Sequence, residues 1–305
     1  MTDTPTRPLE GRTVLVTGGS RGLGAATSRR LAAMGARVLL TYRTRAEEGE
    51  AVAADCSEHT PGARAEQLDL GDEDSVRALF ERVREQDGEL DVVIANAAAT
   101  AFKPLLELKP HHIDRTFAIT VRHFLLLVQL AFPMLEPRGG RIIAVSGADT
   151  AGFIQGHGLL AAAKGAMETL VRYLACELGP QGVTAMGVLP GFIDTESIKM
   201  MAGPFHPKLV AAEERTHPLR TAATPEDASE AVALLCLPEA RWLNGQIVRN
   251  DGAGIFAHTD RFAQAWAMVP EDAAMPDITG APMLGGEVAG SSAPEEPVDE
   301  AGPEG

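Results

Sequence analysis

The sequence predicts an α/β protein built on a doubly wound parallel sheet of seven strands with helices on both faces. Three observations carry that expectation. Residues 10–256 alternate short β-branched runs with longer amphipathic stretches, the signature of βαβ units and a parallel sheet. A glycine-rich turn follows the first of those runs and leads straight into a helical pattern. The chain of 305 residues, 45 % hydrophobic and 23 % charged, has the composition of a globular protein with a sizeable core.

Taken in order, the first strand is expected over residues 13–17, the run Thr-Val-Leu-Val-Thr, and the helix that follows over 23–34. Strand two (37–41) and a helix over 46–57 form the next unit, then strand three (63–68) and a helix over 72–86. Strand four (92–95) leads to one long helix over 111–135, strand five (141–146) to a helix over 158–178. Strand six (183–189), a helix over 225–235 and strand seven (246–249) complete the sheet. Strand runs are short and β-branched, whereas the helical intervals place apolar residues three and four apart. No internal repeat interrupts the series.

Acids outnumber bases by 42 to 27, a formal charge of −15. This argues against a nucleic-acid or anionic-membrane partner, each of which calls for a basic surface. Ten acidic residues and one Arg fall in 257–305, so −9 of that charge sits in the last stretch. Three segments follow: an N-terminus over 1–9, a nucleotide-binding domain over 10–256, and an acidic Pro- and Gly-rich extension over 257–305, expected to be mobile after 270. Within the extension Phe262, Trp266 and Val269 fall at helical spacing, either a docking face or a frayed end. The most apolar stretch, around 124–132, is short of the roughly 18 residues of a spanning helix, so no membrane segment is expected. The first twelve residues have no apolar run of signal-peptide type. Cys56, Cys176 and Cys236, odd in number and widely spaced, point to a reducing cytoplasm without a disulfide framework.

The turn after the first strand reads Thr17-Gly18-Gly19-Ser20-Arg21-Gly22-Leu23-Gly24. Glycines stand where the backbone must turn tightly and approach a diphosphate at a helix N-terminus, which makes the domain a Rossmann-type dinucleotide binder. An acid at the end of the second strand would hold the ribose hydroxyls of NAD. Here Thr41-Tyr42-Arg43 stands instead, and Arg43 with Arg21 can clamp a 2′-phosphate, which favours NADP(H) as cofactor. Either Arg alone would read as a solvated surface charge.

These motifs make residues 10–256 similar to the short-chain dehydrogenase/reductase family. The resemblance sets Asp69, followed by Leu70, as the adenine-contacting pair after the third strand. The family's Asn-Asn-Ala-Gly segment corresponds to Ala95-Asn96-Ala97-Ala98, with Asn96 and Ala97 lining the adenosine side. Its Pro-Gly and Thr after the sixth strand correspond to Pro190-Gly191-Phe192-Ile193-Asp194-Thr195, with Ile193 and Thr195 on the nicotinamide amide. It also implies a homodimer or homotetramer.

The catalytic positions depart from the family. Of the Tyr that gives a proton, the Lys four residues later that holds the nicotinamide ribose, the Ser that polarises the carbonyl and the supporting Asn, only the Lys remains, as Lys164. The Tyr position is Leu160, the Ser position Gly147 and the Asn position Thr120. Ser146 precedes Gly147, yet strand alternation turns it to the opposite face unless the strand has ended. The closest branch resembles the divergent NADPH-dependent enoyl-acyl-carrier-protein reductases, whose Tyr lies seven residues before the Lys, and there this chain has His157. An imidazole, with an unperturbed pKa of about 6.5, can act as the acid. The alternative is a glycine-flanked loop His without a catalytic role.

Other polar residues are weaker candidates. His111 and His112 are adjacent and face different ways, and no His or Cys pair has metal-ligand spacing, so no metal is expected. His123 lies one turn beyond Thr120, either in the pocket or in the core. Asp149 follows the fifth strand at the ligand-binding edge of the sheet, as a site residue or a turn cap. Residues 196–224, with Met200, Met201, Phe205 and His206, occupy the family's lid position, where adaptable methionines suit an apolar substrate or simply fill the core. The function expected is an atypical NADP(H)-dependent reductase of a carbonyl or activated alkene on an apolar or acyl small molecule, in specialised metabolism. The alternative is a family member without redox activity, doing cyclisation or isomerisation or serving as a binding subunit.

Overall fold

In the computed structural model residues 7–258 are described, so residues 1–6 and nearly all of the acidic extension (259–305), Phe262, Trp266 and Val269 included, lie outside the described residues. β1 (Thr13–Val16), α1 (Gly22–Ala33), β2 (Arg37–Tyr42), α2 (Ala46–His59), β3 (Arg64–Gln67), α3 (Glu73–Gln86) and β4 (Val92–Ala95) form the first half. α4 (Pro110–Phe117), α5 (His123–Leu135), β5 (Arg141–Val145), α6 (Gly158–Leu178), β6 (Thr184–Pro190), α7 (Glu196–Ala202), α8 (His206–Thr216), α9 (Pro225–Cys236), β7 (Ile247–Asn250) and α10 (Gly254–His258) follow.

The seven strands form one sheet in the order β3-β2-β1-β4-β5-β6-β7, every neighbouring pair parallel. The chain winds outward from β1 in one direction and from β4 in the other. The crevice between their carboxyl ends is therefore the switch point where open α/β sheets bind ligands. Strand alternation divides the core in two. Val14, Val16, Val38 and Leu40 face α1, α2 and α9, while Leu15, Leu39, Val93 and Ile142 face α3, α5 and α6. Both faces are thus covered, which is why the strands read as nearly continuous apolar runs.

Two features differ from the sequence expectation. The long helix expected over 111–135 is divided by a π-helical turn at Ala118–Arg122 between α4 and α5. Hydrophobic periodicity does not register one inserted residue in a helix, and such turns gather at functional sites. Counted through to Arg138, the helical run from Pro110 spans 29 residues and is long and apolar enough to cross a membrane, which corrects the shorter apolar stretch read from the sequence. Here half of its apolar window is buried inside the fold, where Phe124, Leu127, Val128, Ala131 and Leu135 pack against the sheet. The second difference is in the lid segment, where α7 and α8 form within a stretch for which the sequence reading sets no helix.

Candidate functional site

At the carboxyl edge of the sheet lies an open cleft of about 580 Å³. Its floor is the loop from β1 to α1. Thr17 Oγ1 accepts from the backbone N–H groups of Asn96 (3.0 Å) and Ala97 (3.2 Å), and Asn96 Nδ2 donates to the carbonyls of Thr17 (3.0 Å) and Gly18 (3.2 Å). Thr41 Oγ1 accepts from Gly18 N–H at 3.0 Å. Two strand ends thus hold the loop in one shape. Gly18 and Gly22 have φ of +66° and +52°, the left-handed region that glycine enters without steric cost. Gly24 is needed for another reason: a Cβ there would stand 2.6 Å from Asn96 Nδ2 and closer still to the Gly18 carbonyl oxygen. Arg21, at the N-cap of α1, places no side-chain bond on the first helical amides, which leaves those donors facing the cleft.

Gly18, Ser20, Arg21, Gly22, Leu23, Gly24, Arg43, Asp69, Leu70, Asn96, Ala97 and Thr195 all line this cleft. Arg45 is taken by Glu48 at 2.7 Å, whereas neither Arg21 nor Arg43 enters a salt bridge among the described residues. Asp69 is fixed from both sides, its N–H donating to Ser75 Oγ at 3.0 Å and its Oδ1 accepting from Gly71 N–H at 2.7 Å. Pro190, Gly191 and Ile193 stand outside the lining, at and just beyond the end of β6, where Ile193 bridges to Ala223. Tyr42 and Ser197 line the cleft and are not among the expected site residues, while Met200, expected in the lid or the core, joins them there. Ser197 and Met200 arrive on α7, a helix the sequence did not reveal.

A small second cavity of about 10 Å³ lies at the inner end, shares Leu70, Ala97, Ala98 and Ile119 with the cleft, and reaches Thr120 and Lys164. Lys164 is half-buried and donates to the Ser146 carbonyl at 2.8 Å. Burial pushes its pKa below the usual lysine value, while the charges of Asp149 and Glu168 push back. Thr120, inside the π-helical turn, has a buried hydroxyl with no partner among the described residues. Leu160 is buried on α6. β5 ends at Val145, and the Ser146 hydroxyl donates to Glu168, which also accepts from Thr150 at 2.8 Å. Ser146 is thereby committed to Glu168.

His157 stands at the N-cap of α6, its ring 4.6 Å from that of Phe102. Its Nδ1 lies 3.4 Å from Asp149 Oδ2, and its Nε2 is buried without a partner among the described residues. His157 lines neither cavity wall. His123 is 1 % exposed and bonds through Nδ1 to the Leu70 carbonyl, which places it in the core behind the cleft. No group of three or more metal-ligating side chains occurs among the described residues. In the lid, His206 Nε2 meets Asp194 Oδ1 at 2.7 Å, while Met200, Met201 and Phe205 are exposed.

A family model described as Enoyl-(Acyl carrier protein) reductase matches residues 18–253. The chain is 32 % identical over 252 residues to 1-cyclohexenylcarbonyl-CoA reductase of Streptomyces collinus, covering 82 % of this chain and 89 % of that protein. It is 32 % identical over 254 residues to a versicolorin reductase of Emericella nidulans, covering 80 % and 96 %. Among solved structures, a short chain dehydrogenase of Burkholderia cenocepacia in complex with NADP superposes with a TM-score of 0.73 at 35 % identity, over 81 % of this chain and 99 % of that one.

Proposed function

Since the chain belongs to the short-chain dehydrogenase/reductase family, we propose that it is an NADPH-dependent reductase of a carbonyl or an activated alkene on an apolar or acyl small molecule of specialised metabolism. One observation carries this reading: a glycine-loop cleft whose rim presents Arg21 and Arg43 free of salt bridges among the described residues and whose inner end reaches Lys164. The two guanidinium groups match a 2′-phosphate, the backbone amides of the glycine loop match a diphosphate, and the fixed carboxylate of Asp69 matches an adenine edge. Bound there, a reduced nicotinamide would supply the hydride.

The protein's own residues then have three tasks. Lys164 would hold the nicotinamide ribose from the inner end of the cleft. His157 supplies the proton that Leu160 cannot. The exposed Met200, Met201 and Phe205 close over an apolar substrate. The relatives named above are reductases of a cyclohexenylcarbonyl thioester and of versicolorin, which supports an acyl or polycyclic substrate. Family likeness supports a homodimer or homotetramer, to be read by light scattering.

Titration calorimetry with NADPH and NADH, followed by NADPH oxidation with cyclohexenylcarbonyl-CoA and hydroxylated polycyclic ketones, tests the proposal. NADPH is expected to bind more tightly, and Arg43→Asp to reverse the preference. Equal binding of both cofactors would remove the clamp. The changed residues at 120, 147 and 160 favour one competing reading, a family member doing cyclisation or isomerisation. Product formed without NADPH consumption would establish that reading instead.

A further inference from the structure

Gly147 holds the position of the family's serine, and its backbone is extended, with φ of −165°, a conformation open to any residue. What favours glycine there is therefore the neighbouring side chains and not the path of the chain. A Cβ on residue 147 would stand 2.7 Å from Asp149 Oδ1 and 3.1 Å from Lys164 Nζ. The carboxylate of Asp149 fills the volume that a side chain at 147 would take. That side chain is 4 % exposed; its Oδ2 faces His157 Nδ1 at 3.4 Å, and its Oδ1 has no partner among the described residues. A buried carboxylate oxygen left without a donor is costly, so its presence calls for a role.

We propose that Asp149 is the positioning residue of this site: a carboxylate standing in the serine's place that holds the His157 ring with its proton on Nδ1 and leaves Nε2 to exchange the proton of the reaction. The inference rests on the reductase reading for the reaction itself, and on geometry for the pair. An ionised carboxylate only accepts hydrogen bonds, so of the two neutral imidazole tautomers it selects the one protonated at Nδ1. Nε2 is then a bare acceptor in the neutral ring and a donor in the imidazolium. Phe102 against the ring fixes its plane, and a 3.4 Å separation is of the kind that tightens when the ligands arrive.

The neighbouring charged groups are accounted for. Glu168 is engaged by Ser146 and Thr150. Lys164 Nζ shares with Asp149 Oδ1 the space beside Gly147, so the same carboxylate also sustains the charge of the half-buried ammonium, which a neutral serine would not do. In the reductive direction a bound reduced nicotinamide would supply the hydride to the substrate carbon. The imidazolium gives its Nε2 proton to the substrate oxygen, or to the α-carbon of an alkene. The ring is left neutral with Nδ1–H on Asp149, and water returns a proton to Nε2.

Long-range ¹H–¹⁵N correlation of the full-length protein with NADP⁺ tests the pair, His157 being assigned by the signal lost in His157→Gln. The neutral ring is expected to carry its proton on Nδ1. In Asp149→Asn, whose amide can donate to Nδ1, the proton should move to Nε2, while kcat falls about a hundredfold and KM changes little. Gly147→Ser, which crowds the carboxylate out, should shift the tautomer in the same way. A wild-type ring protonated at Nε2, or an Asp149→Asn enzyme with tautomer and kcat unchanged, would overturn the proposal, and the wild-type spectrum decides even if neither variant folds. A ring protonated at Nδ1 in a protein that oxidises no NADPH supports the pair and overturns only the reductase reading.

Discussion

Gly24→Ala probes the cofactor cradle where it is tightest. The added methyl would lie 2.6 Å from Asn96 Nδ2, against the roughly 3.5 Å at which carbon contacts are comfortable, so loop and amide must part by about 1 Å. That movement breaks the two bonds from Asn96 Nδ2 to the Thr17 and Gly18 carbonyls. Two lost hydrogen bonds at roughly 0.5–1.5 kcal/mol each and overpacking at roughly 1–3 kcal/mol outweigh the gain of about 0.5–1 kcal/mol that alanine brings to a helix. A net loss of roughly 2–4 kcal/mol should lower the melting temperature by about 4–15 °C in a domain of this size. NADPH binding should weaken sharply, because the displaced amides are those that face the diphosphate. Gly165→Ala is the matched control: nothing stands within 4 Å of its added Cβ, so it should melt slightly above the wild type. Thermal unfolding with calorimetric NADPH titration reads both. If Gly24→Ala melts with the wild type and binds NADPH equally well, close packing between this glycine and Asn96 is not what shapes the cradle.

Three further outcomes are expected. Burial raises the Cys56 thiol to about 11 and the Cys236 thiol to about 12, whereas Cys176 is exposed, so a thiol reagent at neutral pH should label Cys176 alone in the native protein and all three after denaturation; rapid labelling of a second cysteine would contradict this burial. Since both raised thiols stay protonated when the unfolded chain's would ionise, stability should decline as the pH rises past about 8.5, and Cys236→Ala should flatten that decline in urea titrations. Burial opposes the charge of Asp87, but hydrogen bonds and charge from Arg64, and then from Arg37, more than offset it and hold its pKa below the usual carboxylate value. Its contribution is thus present above about pH 4 and lost as the pH falls through the lower folded value; Asp87→Asn should weaken the acid dependence of stability, and an unchanged acid limb would exclude this group from it.

The architecture was legible because it rests on local and periodic signals. β-branched runs, amphipathic intervals and a glycine turn at a strand-to-helix junction are written within a few residues of one another, and the strands form within one or two residues of their expected bounds. The cleft follows from the same signals, since a doubly wound parallel sheet leaves its crevice at the carboxyl ends beside the glycine loop. Tertiary structure decided what depends on residues distant in the chain or on the space left by a missing side chain. Asn96 closes the glycine loop from 78 residues away, the π-helical turn sets Thr120 at the inner cavity, and α7 brings Ser197 and Met200 to the mouth of the cleft. Gly147 and Asp149 make the division plainest. Read separately, one is a lost serine and the other an ambiguous loop acid; folded, the carboxylate fills the volume beside Gly147 and meets His157. Sequence spacing reports which groups share an element, whereas occupancy of a common volume depends on backbone paths that only the packed sheet and helices define.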